Sequence, residues 1–499
     1  MGEEGGGRSC GTTRDLQKLK QQAMEYYREN DVPRRLEELL NSTFYLQPAD
    51  VYGHLANCFS KLAKPPTICK VVGKNVLDGL GLPTLQVEIF CTIQNFPKNI
   101  CSVVISTHFE VHENALPKLV EAEELERSDA VSTAVRWVNE TITEELQGLA
   151  PSSQAEVDQV LRTFFESKVQ EDKERKELEK SLEDSTVPTP SPLTPPLPPP
   201  PPAKKKGQKQ GRKDTLTEKP IVPPEPVEPI LCGSMAIGAV SLAVAKTSAV
   251  LGNNPLYLNI ALLKHHQDQP AKLTMPLLMV SLVSCGKSSP GKLNFMKEVI
   301  CIPHPGLTAK QGVDMLLEIQ KHINKTIEMD SEQWDSTYNA LGSKCYIIAG
   351  TASKSISKLL EDGNIGILRC SGLIVKHTNQ TTMSDLVEMT NLIDSKKHIA
   401  VFGSAEGESS DDSLVDLAVG LGVRFIKLGG LSRGERVTKY NRLFTIEEEL
   451  VQNGTLGFSE EHTFFYLNEE AEKAAMAGEL PEPPEPIFAT EVVEQSAKT

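Results

Sequence analysis

Near the start of the chain, apolar positions recur every three or four residues in two short stretches. Within residues 31–62, Leu36, Leu39 and Leu40 share one helical face, and Val51, Leu55, Cys58, Phe59 and Leu62 share another. Pro33 falls where a first helical turn tolerates proline, and Pro48 with Asp50 interrupts and restarts the chain, so the spacing predicts a helical hairpin. From residue 68 the period changes to two. ICKVV, LQVEIFCTI and CSVVISTHFEV predict three strands of a small antiparallel sheet, with the turn-rich DGLGLP between the first two. Residues 154–183 return to a strongly charged helical pattern. The segment MAIGAVSLAVAKTSAVLG (235–252) is apolar on all sides, but Lys246 and several serines near its middle predict a buried helix and no membrane span.

From residue 276 onward, short apolar runs alternate with helical ones. LLMVSLVS, KEVICI, CYIIAG, GLIVK, HIAVF and RFIKL read as strands; helices are expected near 308–327, 331–341, 354–361, 382–395, 411–421 and 435–451. A β/α succession predicts parallel strands with crossover helices, and the six strands fall two short of a closed barrel of that type.

Composition then divides the chain. STVPTPSPLTPPLPPPPPAKKKGQKQGRK is an extended proline run followed by a basic spacer, so residues from about 184 to 228 are expected to be disordered. The resulting map is a helical hairpin (1–66), a sheet and helix (67–150), a charged helix and Pro-rich basic insert (151–229), a buried helical region (230–270), a β/α region (271–470) and an acidic Pro-rich tail (471–499). The formal charge of −15 excludes a chain-wide attraction to nucleic acid or anionic membrane. The basic cluster at 204–213 has no interleaved aromatic residues, which makes a solvated spacer the simpler reading than a nucleic-acid site. Ten cysteines without a C-x-x-C pair fit reduced thiols in a cytoplasmic protein.

Four separated stretches resemble the enolase family, in order, across most of residues 68–457. DGLGLPTLQVE (78–88) is similar to the family's D-S-R-G-N-P-T-V-E-V turn. GSMAIGAVSLAVAK with NNPLYLNIA (233–261) resembles its G-A-N-A-I-L-G-V-S-L-A helix and the continuation of that helix. KEVICIP (297–303) resembles the Q-E-F-M-I-x-P strand, and residues 410–450 resemble the ending with its I-K-x-G-x-x-x-R-x-E-R signature. The resemblance implies an α/β fold: a small α+β N-terminal cap domain and a C-terminal β/α barrel, here incomplete with about six of eight strands. It also implies phosphopyruvate hydratase chemistry, in which 2-phosphoglycerate loses water to give phosphoenolpyruvate with Mg²⁺ as cofactor. The hairpin separately resembles the dimerisation and docking helices of protein kinase A regulatory subunits, over about thirty residues. It would then pair with a second copy and hold an amphipathic anchoring helix; the alternative is a helical extension packed on the enolase body.

By this resemblance Lys376 in GLIVKHTNQ is the catalytic base, and Lys427 in RFIKLGG and Glu298 in KEVICIP are substrate-side residues. Strand C-terminal ends face the mouth of such a barrel, where chemistry sits. Read alone, each lysine is more simply a surface strand-end charge than a catalytic group, and Glu298 can be read as a salt-bridge partner.

The departures are larger than the survivals. His108 stands where the family's mobile loop has a serine ligand, Gly350 where it has a metal aspartate, Ala405 and Glu406 where it has arginine and serine, and Ser289 where it has histidine. Imidazole is a poor partner for magnesium, and a carboxylate repels phosphate. Between Glu298 and Gly350 lie 51 residues, roughly 100 fewer than the family has there, about three β/α units. That stretch carries the general-acid loop and the remaining metal carboxylates, so no metal ligand is assigned and binding of Mg²⁺ is not expected. The sequence thus predicts an impaired or inactive enolase-type protein, forming a homo-oligomer or joining other enolase subunits. The alternative is a non-catalytic docking protein in a cytoskeletal or flagellar setting.

Overall fold

The computed structural model describes residues 9–106, 117–185, 231–266, 268–284, 298–303, 306–327, 348–350, 372–377, 379–395, 398–403 and 408–457. The chain separates into two compact units, Met1–Thr67 with Cys91–Lys98, and Ile68–Phe90 with Asn99–Thr499.

The first unit contains α1 (Ser9–Glu29), α2 (Val32–Leu46) and α3 (Val51–Leu62). The last two are the expected hairpin. Pro33 sits in the first turn of α2, Gln47 ends it with a left-handed backbone (φ 44°), and Asp50 caps α3 by accepting from the Gly53 amide at 2.9 Å. Helix α1 was not anticipated. Between residues 15 and 66 only Thr43 is buried, so these helices bury no apolar side chain.

Strands β1 (Thr67–Leu77), β2 (Pro83–Ile93) and β3 (Phe96–Val104) pair in that order; most of their residues belong to the second unit, while Thr67 and the hairpin tip at Cys91–Lys98 are counted with the first. Gln94 and Asn95 both have positive φ (51° and 67°), the two-residue turn that suits the twist of an antiparallel hairpin. Helix α4 (Pro117–Trp137) runs into a π-helical turn, Val138–Ile142. Beyond it the Thr143 hydroxyl accepts from the Val71 amide at 2.8 Å, while Asn139, within that turn, bonds both backbone groups of Gly73. Side chains thereby cover the outer edge of β1, which would otherwise offer unpaired backbone groups.

Helix α5 (Gln154–Ser185) is followed, after residues outside the described set, by α6 (Met235–Leu251) and α7 (Leu256–Lys264). Most of α6 is buried, which accounts for its uniform apolarity, and among the described residues no single helix is long and apolar enough to cross a membrane.

The second sheet contains β5 (Leu277–Ser284), β6 (Glu298–Cys301), β7 (Ile348–Gly350), β8 (Gly372–Val375), β9 (Ile399–Gly403) and β10 (Phe425–Gly429), ordered β6-β5-β10-β9-β8-β7. Short β4 (Leu273–Thr274) and β11 (Leu456–Gly457) pair separately. Helices α8 (Ala309–Ile327), α9 (Met383–Ser395), α10 (Ser413–Gly420) and α11 (Gly434–Gln452) complete the succession. All six expected strands are present, and β6 and β7 terminate the strand order; no ladder joins them among the described residues. One expectation is corrected. The strands are not all parallel, because β6 runs antiparallel to β5. Consecutive strands that lie side by side can return directly as a hairpin, without a crossover helix.

The helices expected at 331–341 and 354–361, the linker at 184–228 and the tail from 471 lie outside the described residues. Cys58, Cys69, Cys91, Cys101, Cys232 and Cys301 form no disulfide.

Candidate functional site

The candidate site lies at the C-terminal ends of β8, β9 and β10. In parallel strands, registered residues point to the same face. On one face of this sheet Ile374, Val401 and Phe425 form an apolar layer, with Met279, Leu277 and Ile399 packed around it. One step further toward the C-terminal ends comes a different layer. Lys427 is registered with Gly403 on one side and Met279 on the other. Lys376 follows β8, and a Cβ built on Gly403 would stand 3.8 Å from the Lys376 Cγ and 2.9 Å from the Ile374 Cγ2. The two expected lysines are therefore brought together, one on each side of a glycine, above an apolar floor. Both are half-buried, and each has a polar or electrostatic partner.

Glu298 is placed differently. Its backbone pairs with Ser284 on β5, five residues beyond Met279, so it lies two strands from Lys427 and about 16 Å further along the sheet. Gly350 ends β7, registered with Ile374 one step below the lysine layer, and it offers no ligand atom from a side chain. His108, Ser289, Ala405 and Glu406 lie outside the described residues.

The surrounding shell is polar and largely buried. The Glu408 carboxylate is held by Arg436 Nε at 3.1 Å and by Lys439 Nζ at 3.0 Å, and Lys439 also donates to the Ser409 carbonyl at 3.1 Å. Lys439 is 1% exposed, so this ammonium group has been removed from water and has its hydrogen bonds supplied by the loop after β9. Arg436 also lies over Gly429 at the end of β10, where a Cβ would come 2.8 Å from its guanidinium carbon. The backbone of Glu408 accepts from the Gly79 amide at 2.8 Å. Gly79 belongs to the DGLGLP turn, which is closed by Asp78 accepting from the Leu80 and Leu82 amides at 2.8 and 2.9 Å.

His377, immediately after Lys376, is buried, and its Nε2 makes no hydrogen bond. Burial pushes its pKa down to about 4, against the opposing effects of the Gly238 and Thr381 backbones and Asp411. A cavity of about 30 Å³ is lined by His377, Ser106, Gly403, Ser409, Asp411 and Lys439 among others, room for little more than a water molecule. The segment after His377 is clamped on α6. The Gly238 amide donates to the Asn379 carbonyl at 2.9 Å, and a Cβ at Gly238 would stand 2.5 Å from that oxygen. Buried Asp158 on α5 then accepts from Ser241 Oγ (2.6 Å), from the Ser384 amide (2.9 Å) and from Ser384 Oγ (2.6 Å), fixing the start of α9. Burial raises the Asp158 pKa while these hydrogen bonds lower it.

The described side chains here do not fit a magnesium ion. The layer presents two lysines and a glycine, the nearby Glu408 carboxylate is consumed by two cations, and Asp411 accepts from the Val104 and Ser413 amides with Lys246 at 3.6 Å. No three His, Cys, Asp or Glu residues gather as a metal site among the described residues. Magnesium requires several oxygen ligands in near-octahedral geometry.

Glu408, Lys439 and His377 carry no mark in the sequence, whereas Arg436 is the last residue of the I-K-x-G-x-x-x-R-x-E-R signature. The available signal for Lys439 was its place three residues after Arg436, on the same face of one helix.

The family described as enolase, C-terminal TIM barrel domain, matches residues 323–463. Enolase 4 of Homo sapiens is 68% identical over the whole of this chain and 99% of its own length, and enolase 4 of Mus musculus is 58% identical with both chains fully covered. Enolase 4 of Danio rerio is 31% identical, covering 89% of this chain and 93% of its own. The human and mouse alignments extend over 620 positions against 499 residues, so at least 121 positions of each comparison have no residue in this chain. Since both chains are covered almost end to end, those positions are internal.

Proposed function

This chain belongs to the enolase family, and we propose that it is a member whose hydratase reaction on 2-phosphoglycerate is impaired or lost. The observation that carries this reading is the layer Lys376–Gly403–Lys427, where both expected lysines remain while the position expected of a metal aspartate is Gly350, one step below them. In this reading Lys376 is the base that takes the proton beside the substrate carboxylate, and Lys427 holds the developing negative charge. Removing that proton places a second negative charge on the carboxylate. Two ammonium groups offset part of it, but the electrostatic contribution that normally dominates such a step is absent. Expulsion of the hydroxyl also needs a proton donor, and by the family resemblance that group falls in the missing stretch. The purified protein, given 2-phosphoglycerate and millimolar Mg²⁺, is expected to form no more phosphoenolpyruvate than Lys376→Ala. Magnesium-dependent turnover abolished by Lys376→Ala would refute the impaired reading and leave an active enolase.

A second reading is favoured by the first unit. Leu36, Leu40 and Phe44 of α2 are 39%, 58% and 71% exposed at a spacing of four, and Val51, Phe59 and Leu62 of α3 are similarly exposed. Such stripes suit a non-catalytic assembly role in the cytoplasm, in a cytoskeletal or flagellar setting, with an amphipathic helix as the partner. Deleting residues 1–64 should abolish capture of such a helix while the second unit stays folded. Capture that survives the deletion would remove this reading.

A further inference from the structure

Helix α1 has a pattern that neither reading uses. Leu16, Leu19, Ala23 and Tyr26 fall at alternating intervals of three and four, the a and d positions of two heptads. Leu16, Leu19 and Tyr26 are 62%, 62% and 61% exposed, and Ala23 is exposed as well, so the seam faces water along its length. An isolated helix of this length is marginal in water, and this one has no buried face to hold it.

We propose that this seam is covered by α1 of a second copy of the same chain, running parallel and in register as a short two-stranded coil. The charges select that occupant. With Leu16 at a and Leu19 at d, Asp15 is a g position and Lys20 the following e position. In a parallel, in-register pair, each g residue faces the e residue five positions later on the other helix, so Asp15 meets Lys20 twice by symmetry. An antiparallel pair sets g against g and e against e, where Asp15 meets Gln22 and Lys20 meets Tyr27, and both attractions vanish. An unrelated helix would need charges that nothing in α1 specifies.

The seam exposes on the order of 400 Å² per copy, about half of what a standard interface buries on one partner. A coil formed by α1 alone therefore dissociates on dilution, and durable pairing requires the stripes on α2 and α3 to be buried as well. The inference does not depend on the hydratase reading. It shares with the assembly reading only the idea that the first unit meets a partner; loss of anchoring-helix capture with α1 pairing retained would remove that reading and leave this one.

The test uses the full chain with Leu19→Cys, a d position, and with Gln21→Cys on the far side of the helix. Under mild oxidation Leu19→Cys is expected to form a covalent dimer about ten-fold faster than Gln21→Cys or the parent chain, because the coil raises the local thiol concentration. Adding Lys20→Asp should slow that reaction, and adding Asp15→Lys to the pair should restore it. Equal rates at positions 19 and 21 would overturn the proposal, since neither an antiparallel coil nor a different partner brings residue 19 against itself. Failure of the double charge reversal to restore the rate would overturn the parallel register.

Discussion

Lys427 and Gly403 share a register position on neighbouring parallel strands, and the space that a side chain on Gly403 would fill borders Lys376. The glycine is therefore what allows two lysine stems to converge on one face. Gly403→Ala would put a methyl group 2.9 Å from Ile374 Cγ2, a contact that packed cores do not accept without a shift. Denaturant unfolding should show a loss of about 1–3 kcal/mol for Gly403→Ala and a larger one for Gly403→Val. An unchanged midpoint in both would mean that this layer is not packed as described.

Millimolar Mg²⁺ should leave the melting temperature where it is. A ligand that binds only the folded state raises stability as the logarithm of one plus its concentration over Kd, so a real site would be visible by this measure. Among the described residues no three His, Cys, Asp or Glu side chains gather where they could hold a metal ion. A magnesium-dependent rise that disappears in Glu298→Gln would instead show that a carboxylate site assembles around that residue.

The sequence was legible where local pattern and structure agree. The run GLIV ends at Val375, just before Lys376, and the strand ends there too, the DGLGLP turn closes on Asp78, and Pro33, Pro48 and Asp50 mark the hairpin. It was less legible where a relationship spans distant residues. Apolar runs such as KEVICI carry no direction, so the antiparallel setting of β6 depends on which strand lies next to it. Gly238 gives no sign in sequence that Asn379 will approach it, because that contact joins residues 141 positions apart. Helix α1 carries its four seam residues among polar ones over only two heptads, too weak a pattern to stand out from a charged chain end. Alignment length bears on the site as well. At least 121 internal positions lack a residue here, close to the roughly 100 that motif order places between Glu298 and Gly350 at barrel spacing.

The Glu408–Lys439 pair should behave as a buried ion pair. Lys439→Met leaves Glu408, which is 6% exposed, with Arg436 as its remaining cation and strips the Ser409 carbonyl of its donor. Breaking one side of such a pair costs about 3–5 kcal/mol, whereas replacing both members costs much less. Urea unfolding of Lys439→Met, Glu408→Gln and the double variant should therefore be strongly non-additive, with the double variant more stable than the sum of the single losses. Simple additivity would show that the two side chains do not depend on one another.

His377 should make stability depend on pH near neutrality. An unfolded histidine titrates near its ordinary value of about 6.5, whereas burial pushes the folded one down to about 4. The folded state therefore binds fewer protons than the unfolded state between these values, and stability rises with pH across that window. The contribution is fully present above about pH 6.5, is lost progressively as pH falls, and stops changing below about pH 4. Its full size corresponds to a shift of roughly 2.5 pKa units, on the order of 3 kcal/mol. Asp158 and Asp416 are raised by burial and act with the opposite sign, since the folded state holds their protons more tightly once pH falls toward the carboxylate range. Comparing variants removes those contributions, because they are common to both proteins. Urea unfolding at pH 7.5 and pH 5.0 should show the native chain losing more stability on acidification than His377→Asn, whose amide does not titrate. Equal losses in the two proteins would mean that His377 does not stay neutral and buried beside Gly238, and that the Lys376 strand end is less tightly held on α6 than its hydrogen bonds indicate.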